Sequence, residues 1–274
     1  MDSPSASLET VTAREEPSGD RAAELLAEAV SRLSAHTSAL NSIALRILAI
    51  EGCLAELRTG LSRAAQPEGP RWRGSLPRES ISKTLAAVPQ IRLLSIYGAK
   101  GNEEMHELAL LGSWARLAEA SAIFEFTTLD GRTAVNLAAN CAAGGTVFTL
   151  DSPSEAGKQV SRLRYEGTSF EASVVQLRGD SAKFDFNRFY GTIDFVFIGG
   201  GDKYEIVMNE TRIALQLLRG GRGTIAWRGY SHETNAVARA LEELHATEPK
   251  LAGMRHVEET ELVYARVGQP RSTS

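Results

Sequence analysis

From about Ile91 onward the chain alternates short apolar runs of strand character with helical patterns, and few folds accept that alternation. A helix predicted over Asn102–Ala120, opened by an Asn cap with acidic residues in its first turn, is followed by a strand at Ala122–Phe126 and a helix at Arg132–Cys141. Next come a strand at Thr146–Leu150, a helix at Ser154–Leu163 and a strand at Ser173–Leu177. The series continues with a strand at Ile193–Ile198, a helix at Tyr204–Leu218, a strand at Thr224–Trp227 and a helix at His232–His245, then two β-rich runs within Arg255–Val267. A strand that feeds a helix must return beside its predecessor, so the pattern predicts an α/β, Rossmann-like, doubly wound and mostly parallel sheet with a C-terminal antiparallel hairpin.

The segment before it has a different period. Leu26, Leu33, Leu40, Ile47, Leu54 and Leu61 recur every seven residues, with Ala29, His36, Ile43, Ile50 and Leu57 three places after the first five. No proline interrupts residues 21–61, so a long heptad-repeat helix is expected there. Its apolar stripe is widened by Leu25, Val30, Ala39 and Ala44, which fits docking on its own domain as well as homo-oligomerisation or a protein partner. His36 on that seam reads as a packed or hydrogen-bonded histidine rather than a metal ligand, since no second ligand type stands beside it at helical spacing. The expected organisation is a disordered tail over residues 1–19, a helical oligomerisation segment over 20–63, and a Pro/Gly-rich linker over 64–90 in which Trp72 anchors onto a neighbour. The α/β domain follows over 91–267, and a short tail over 268–274.

Charge and cysteine content narrow the function. Thirty Lys plus Arg against 34 Asp plus Glu give a net charge of −4, mixed along the chain, which excludes a generally basic nucleic-acid binder. The two cysteines, Cys53 and Cys141, lie far apart without metal-ligand spacing, which predicts a reducing compartment. Neither a signal peptide nor a membrane span is apparent, so a cytoplasmic location is expected.

In a doubly wound sheet the ligand lies at the carboxyl ends of the strands. There the sequence supplies Glu125, the turn Thr127–Gly131 before a helix, Asp151 twenty positions beyond Gly131, and Asp180 with Ser181 after the third strand. A carboxylate at that distance suits ribose hydroxyls, whereas the missing G-x-G-x-x-G glycines and the surrounding acids disfavour a dinucleotide pyrophosphate. A ligand carrying a sulfonium, an ammonium, a ribose and an adenine amino group fits better.

The residues Phe124-Glu125-Phe126-Thr127-Thr128-Leu129-Asp130-Gly131-Arg132-Thr133, with Thr149-Leu150-Asp151, resemble class I S-adenosylmethionine-dependent methyltransferases. The likeness is to the small-molecule and sugar O-methyltransferase-like group that reads E-I-G-T-x-D-G-R-T and T-L-D. Asp194-Phe195-Val196-Phe197-Ile198-Gly199-Gly200 is similar to its D-x-V-F-I-D-G, and Leu218-Arg219-Gly220-Gly221 with Trp227-Arg228-Gly229-Tyr230 to its L-R-x-G-G and W-H-D-Y. The resemblance implies S-adenosylmethionine as cofactor, with Glu125, Thr127, Asp130 and Gly131 beside the methionine moiety, Asp151 on the ribose, and Asp180 and Ser181 beside the adenine. It implies methylation of a small-molecule or sugar hydroxyl.

Three departures accompany it. Thr127 replaces the first glycine of the turn, where its Cβ either crowds the ligand or demands other backbone dihedrals. Gly199 and Gly229 stand where metal-assisted relatives carry aspartates, so no paired-aspartate metal site is expected. Asp202 and Lys203, displaced by about one residue from the D-K of catechol-type relatives, and His232 after the next strand are the candidate catalytic residues. The same departures support an alternative: a catalytically inactive methyltransferase-like scaffold that self-assembles or binds a partner through its N-terminal helix.

Overall fold

Among the described residues, the strands of the main unit join in one eight-stranded sheet, in which, numbered along the chain, the first lies at one edge, followed by the seventh, eighth, sixth, fifth, second, third and fourth. The computed structural model describes residues 21, 23–33, 36, 74–86, 90–94, 102–151, 162–200, 203–231 and 236–268. The strands are β1 (Arg78–Glu79), β2 (Ala122–Phe126), β3 (Thr146–Asp151), β4 (Val174–Arg178), β5 (Phe195–Ile198), β6 (Gly223–Trp227), β7 (Arg255–Val257) and β8 (Val263–Val267). Five neighbouring pairs are parallel, and β8 runs antiparallel between β6 and β7 as the predicted hairpin. The central strands are buried on both faces, which explains runs such as Phe195-Val196-Phe197-Ile198, where no polar residue alternates with the apolar ones.

The chain divides into two units, residues 1–40 and 41–274. In the first, residues 23–33 form helix α1, in which Leu25, Leu26, Val30 and Leu33 are exposed and Arg32 pairs with Glu28 at 2.6 Å. His36 Nδ1 lies 2.9 Å from the Arg32 carbonyl oxygen, the hydrogen-bonded role expected of it. The heptads beyond residue 36, Cys53 and Trp72 lie outside the described residues.

In the second unit, helices α2 (Ile81–Ala86), α3 (Asn102–Leu117), α4 (Arg132–Asn140), α5 (Tyr204–Leu217) and α6 (Ala236–Thr247) alternate with the strands. Val207, Ala214 and Leu217 of α5 and Leu241 of α6 join Phe124, Phe126, Val196 and Trp227 in one core. Leu110 and Trp114 of α3 and Ala134 and Leu137 of α4 join Ile123, Val147 and Phe195 in a second. Among the described residues no helix is long and apolar enough to cross a membrane.

One stretch differs from the sequence expectation. Within 64–90, read as a linker, β1 pairs with β7 and α2 follows, with Leu76, Ile81 and Leu85 buried. The Pro/Gly signal upstream is real, but a two-residue edge strand is too short to show a period. The helix expected over Ser154–Leu163 falls mostly outside the described residues, and 162–173 is a chain of turns ending in a 3-10 turn at Glu171–Ser173. The extended segment Ile91–Leu94 is held by side chains rather than by a ladder. Asn140 and Asn136, one turn apart on α4, each exchange two hydrogen bonds with the backbone of Arg92 and Leu94, at 2.6–2.9 Å.

Candidate active site

The strand order reverses at β2, which pairs with β3 on one side and β5 on the other, so the crevice of this sheet opens at their carboxyl ends. Immediately beyond β2 the backbone turns sharply through left-handed conformations at Thr127 (φ 79°), Leu129 (φ 49°) and Gly131 (φ 77°) before α4 begins. Thr127 therefore adopts a left-handed backbone conformation that glycine takes far more readily than a β-branched residue. A β-branched residue in that region is strained by ~1–2 kcal/mol or more. The turn is pinned by Thr127 N donating to the Leu150 carbonyl at 2.8 Å and by a 2.8 Å contact between the Thr128 and Thr149 hydroxyls.

Two glycines fit this turn. A Cβ at Gly131 would stand 2.9 Å from the Tyr165 ring, and a Cβ at Gly200 would collide with the Thr127 side chain. Thr127 thus fills the space that Gly200 leaves beside it.

The four acids around the crevice differ in state. Glu125 is fully buried, and its two carboxyl oxygens have no hydrogen-bond partner. Burial pushes it up to about 8; the next largest effect is a downward pull from the nearby Thr149 hydroxyl, which does not reach the geometry of a hydrogen bond, followed by lifts from Asp151 and Asp130. It is mostly protonated at neutral pH.

Asp130 is the opposite case. Burial raises it, but Arg164 Nε at 2.8 Å, the Arg132 amide at 3.1 Å and the Arg132 guanidinium at 3.1 Å outweigh that and hold it below the usual range. Asp151, half-buried, ends β3 in register with Arg178 of β4. Asp180 is exposed, and its Oδ1 accepts the Ala182 amide at 2.9 Å. The four acids thus differ: Glu125 is mostly neutral, Asp130 is doubly ion-paired, Asp151 is half-buried and Asp180 is exposed.

Ser181 lies near a group that sequence reasoning missed. Glu210, on α5, is pushed up to about 7 by burial, partly offset by the Ser181 hydroxyl and reinforced by Asp180. Lys203 is exposed immediately before α5 and makes no capping bond. Asp202 and His232 lie outside the described residues.

A cleft of about 50 Å3 lies between Glu107 and Leu111 of α3, the Thr127–Thr133 turn, Gly199 and Arg228. Arg228 follows β6 directly; its amide donates to the Ile198 carbonyl at 3.0 Å and its Nε lies 2.9 Å from Glu107 Oε2. Glu107 Oε1 accepts the Glu261 amide at 3.0 Å, tying α3, β6 and the β7–β8 connection together. Arg228 occupies a strand-end position and was open to the reasoning that selected Asp151; Glu107, buried on a helix, gave no local signal. Among the described residues no three His, Cys, Asp or Glu side chains stand close enough to share a metal ion.

No protein-family model and no curated protein matches the chain. Solved structures similar to it include cofactor-bound Rv0187 from MTB, at 21% identity over 69% of this chain and 90% of that one, with a TM-score of 0.48. The O-methyltransferase from Bacillus cereus in complex with SAH is similar at 19% identity over 70% and 93%, TM-score 0.48. TomG from Streptomyces achromogenes, an O-methyltransferase of tomaymycin synthesis in complex with SAM, is similar at 18% over 70% and 92%, TM-score 0.46.

Proposed function

We propose that this chain is an S-adenosylmethionine-dependent methyltransferase acting on a hydroxyl of a small molecule or sugar, without a paired-aspartate metal site. The observation that carries the reading is the junction beyond β2. A left-handed turn with a buried, partnerless Glu125 beneath it opens onto α4, and Asp151 ends the neighbouring strand. Backbone strain and an unsatisfied buried carboxyl in one place mark a site rather than a scaffold element.

In this proposal the cofactor supplies a methyl group on a sulfonium, and the chain's residues bind and align. Asp151 accepts from the ribose hydroxyls, Ser181 and Asp180 sit beside the adenine, and the Thr127–Gly131 turn receives the amino-acid end. Because Glu125 is neutral at neutral pH, it can donate a hydrogen bond there without adding negative charge. Transfer needs alignment and removal of the hydroxyl proton; the latter is assigned to the Lys203, Asp202 and His232 group.

Titration calorimetry with S-adenosylhomocysteine tests the reading. Binding in the micromolar range is expected, weakened about 100-fold by Asp151→Ala with an unchanged circular dichroism spectrum, the loss of one charge-assisted bond or two. No heat at about 1 mM ligand, roughly −4 kcal/mol of affinity, overturns it.

One observation favours a second reading. The Thr127 side chain occupies the space beside Gly200 at the head of the turn, which suits an inactive scaffold assembling through residues 21–61. That reading expects no binding by the natural chain, binding restored by Thr127→Gly, and loss of self-association when residues 1–64 are deleted.

A further inference from the structure

Among the described residues that line the cleft, Glu107 and Asp130 bring two carboxylates and Arg132 and Arg228 bring two guanidinium groups. A third, that of Arg164, reaches Asp130 from outside the lining, and Glu125 beside the turn is mostly protonated at neutral pH. Asp130 is already bound by two of the three arginines. Arg228 is the group with capacity left. Its Nε faces Glu107, its side chain is 38% exposed, and among the described residues its two terminal amino groups make no hydrogen bond or ion pair.

A guanidinium presents a planar fork of donors that matches the two oxygens of a carboxylate. Here the fork is held by its surroundings: the Arg228 backbone is fixed to Ile198, and its buried Nε, without a well-formed hydrogen bond, lies in ion-pair contact with a Glu107 that is itself anchored by the Glu261 amide. Gly199, on the same wall, contributes no side chain that could compete for it.

We infer that the acceptor taken by this cleft carries a carboxylate, bound by the terminal amino groups of Arg228, with Glu107 as the positioning residue that orients the guanidinium. The inference deepens the methyltransferase reading by naming the acceptor class. It also fits a cleft whose wall carries glycine at 199 and, beside Gly229, an arginine at 228: charge complementarity holds the acceptor.

The test uses the full chain with two small probes of one shape, benzoate and benzamide, followed by ligand-observed NMR titration with and without S-adenosylhomocysteine. Benzoate is expected to bind about tenfold tighter than benzamide, the scale of one well-placed charge-assisted pair. Arg228→Gln, which keeps a donor for Glu107, should erase that ratio. Arg228→Lys should keep part of it, because the charge remains and the fork is lost. Glu107→Gln, which still accepts the Glu261 amide, should lower the ratio without erasing it. Equal binding of the two probes, or a preference that survives Arg228→Gln in a variant with an unchanged melting curve, overturns the inference. The ratio is read without cofactor, so a natural chain that binds benzoate selectively but not S-adenosylhomocysteine separates failure of the methyltransferase reading from failure of this one.

Discussion

The two ends of the same strands are built on opposite principles. At the amino end of β5, Asp194 accepts from Ser121 N at 2.9 Å, Ser121 Oγ at 2.8 Å and Ala122 N at 3.0 Å, and pairs with Arg219 at 2.6 Å. At the carboxyl end of β2, Glu125 is buried with neither oxygen hydrogen-bonded, and the turn above it holds two non-glycine residues at positive φ. Both carboxyl oxygens at one end accept hydrogen bonds, and those from Ser121 and Ala122 fasten β2 to β5. At the other end, polar capacity and backbone strain are left in place, which a fold tolerates only where the surrounding structure over-determines them. A buried acid is therefore no single signal: satisfied, it marks architecture, and unsatisfied beside strain, it marks a site.

The comparison can be broken at each end. The largest effect is expected at Glu125. Its folded-state value is raised from 4.5 to about 8, so the unfolded chain loses that proton first and stability falls as pH rises from 4.5 through 8. The fall is on the order of 4 kcal/mol. Glu125→Gln should flatten it, and denaturant unfolding at pH 5 and pH 8 measures the slope; a variant with the natural slope would show that Glu125 is ionised and partnered.

Asp194 should behave in the opposite sense. Burial raises it, but the Arg219 bond and the Ser121 and Ala122 donors outweigh that and lower it from 3.8. Its contribution is present above that pH and lost on acidification. Since Arg219 is 54% exposed, the ion pair itself adds little, and most of the cost of Asp194→Ala, about 2 kcal/mol at neutral pH, comes from the stranded amides. Chemical denaturation at pH 7 checks it.

Thr127→Gly is the smallest and has the unusual sign. Relief of the left-handed strain should stabilise the fold by about 1 kcal/mol, net of the added freedom of glycine in the unfolded chain. A destabilised variant would mean that the contact of Thr127 with Gly200 outweighs the strain.

Legibility in the sequence followed the range of the interaction concerned. The alternation of strands and helices, the antiparallel hairpin at the end and the positions of Asp151 and Gly131 after their strands depend on local periodicity, and they could be read directly. The edge strand at Arg78–Glu79 could not, because two residues carry no period and its partner among the described residues, β7, is far along the chain. The double Asn136/Asn140 clamp was equally silent. Two polar residues on a helix become a strand-like anchor only once Arg92 and Leu94 lie beside them.

By itself, then, the sequence determined the order of elements and which residues stand at the strand ends, since both follow from patterns repeated every two, three or four residues. Only the tertiary structure decided the charge state of those residues. The acids at Glu125, Asp130 and Asp194 are the same chemistry on paper, yet one is neutral, one is held by two arginines and one is a structural acceptor. The difference comes from burial and from partners brought in by the fold: Arg164, Arg219 and the Ser121 amide. The same holds for Arg228, whose fork gains an orientation only when Glu107, on a distant helix, meets it across the cleft.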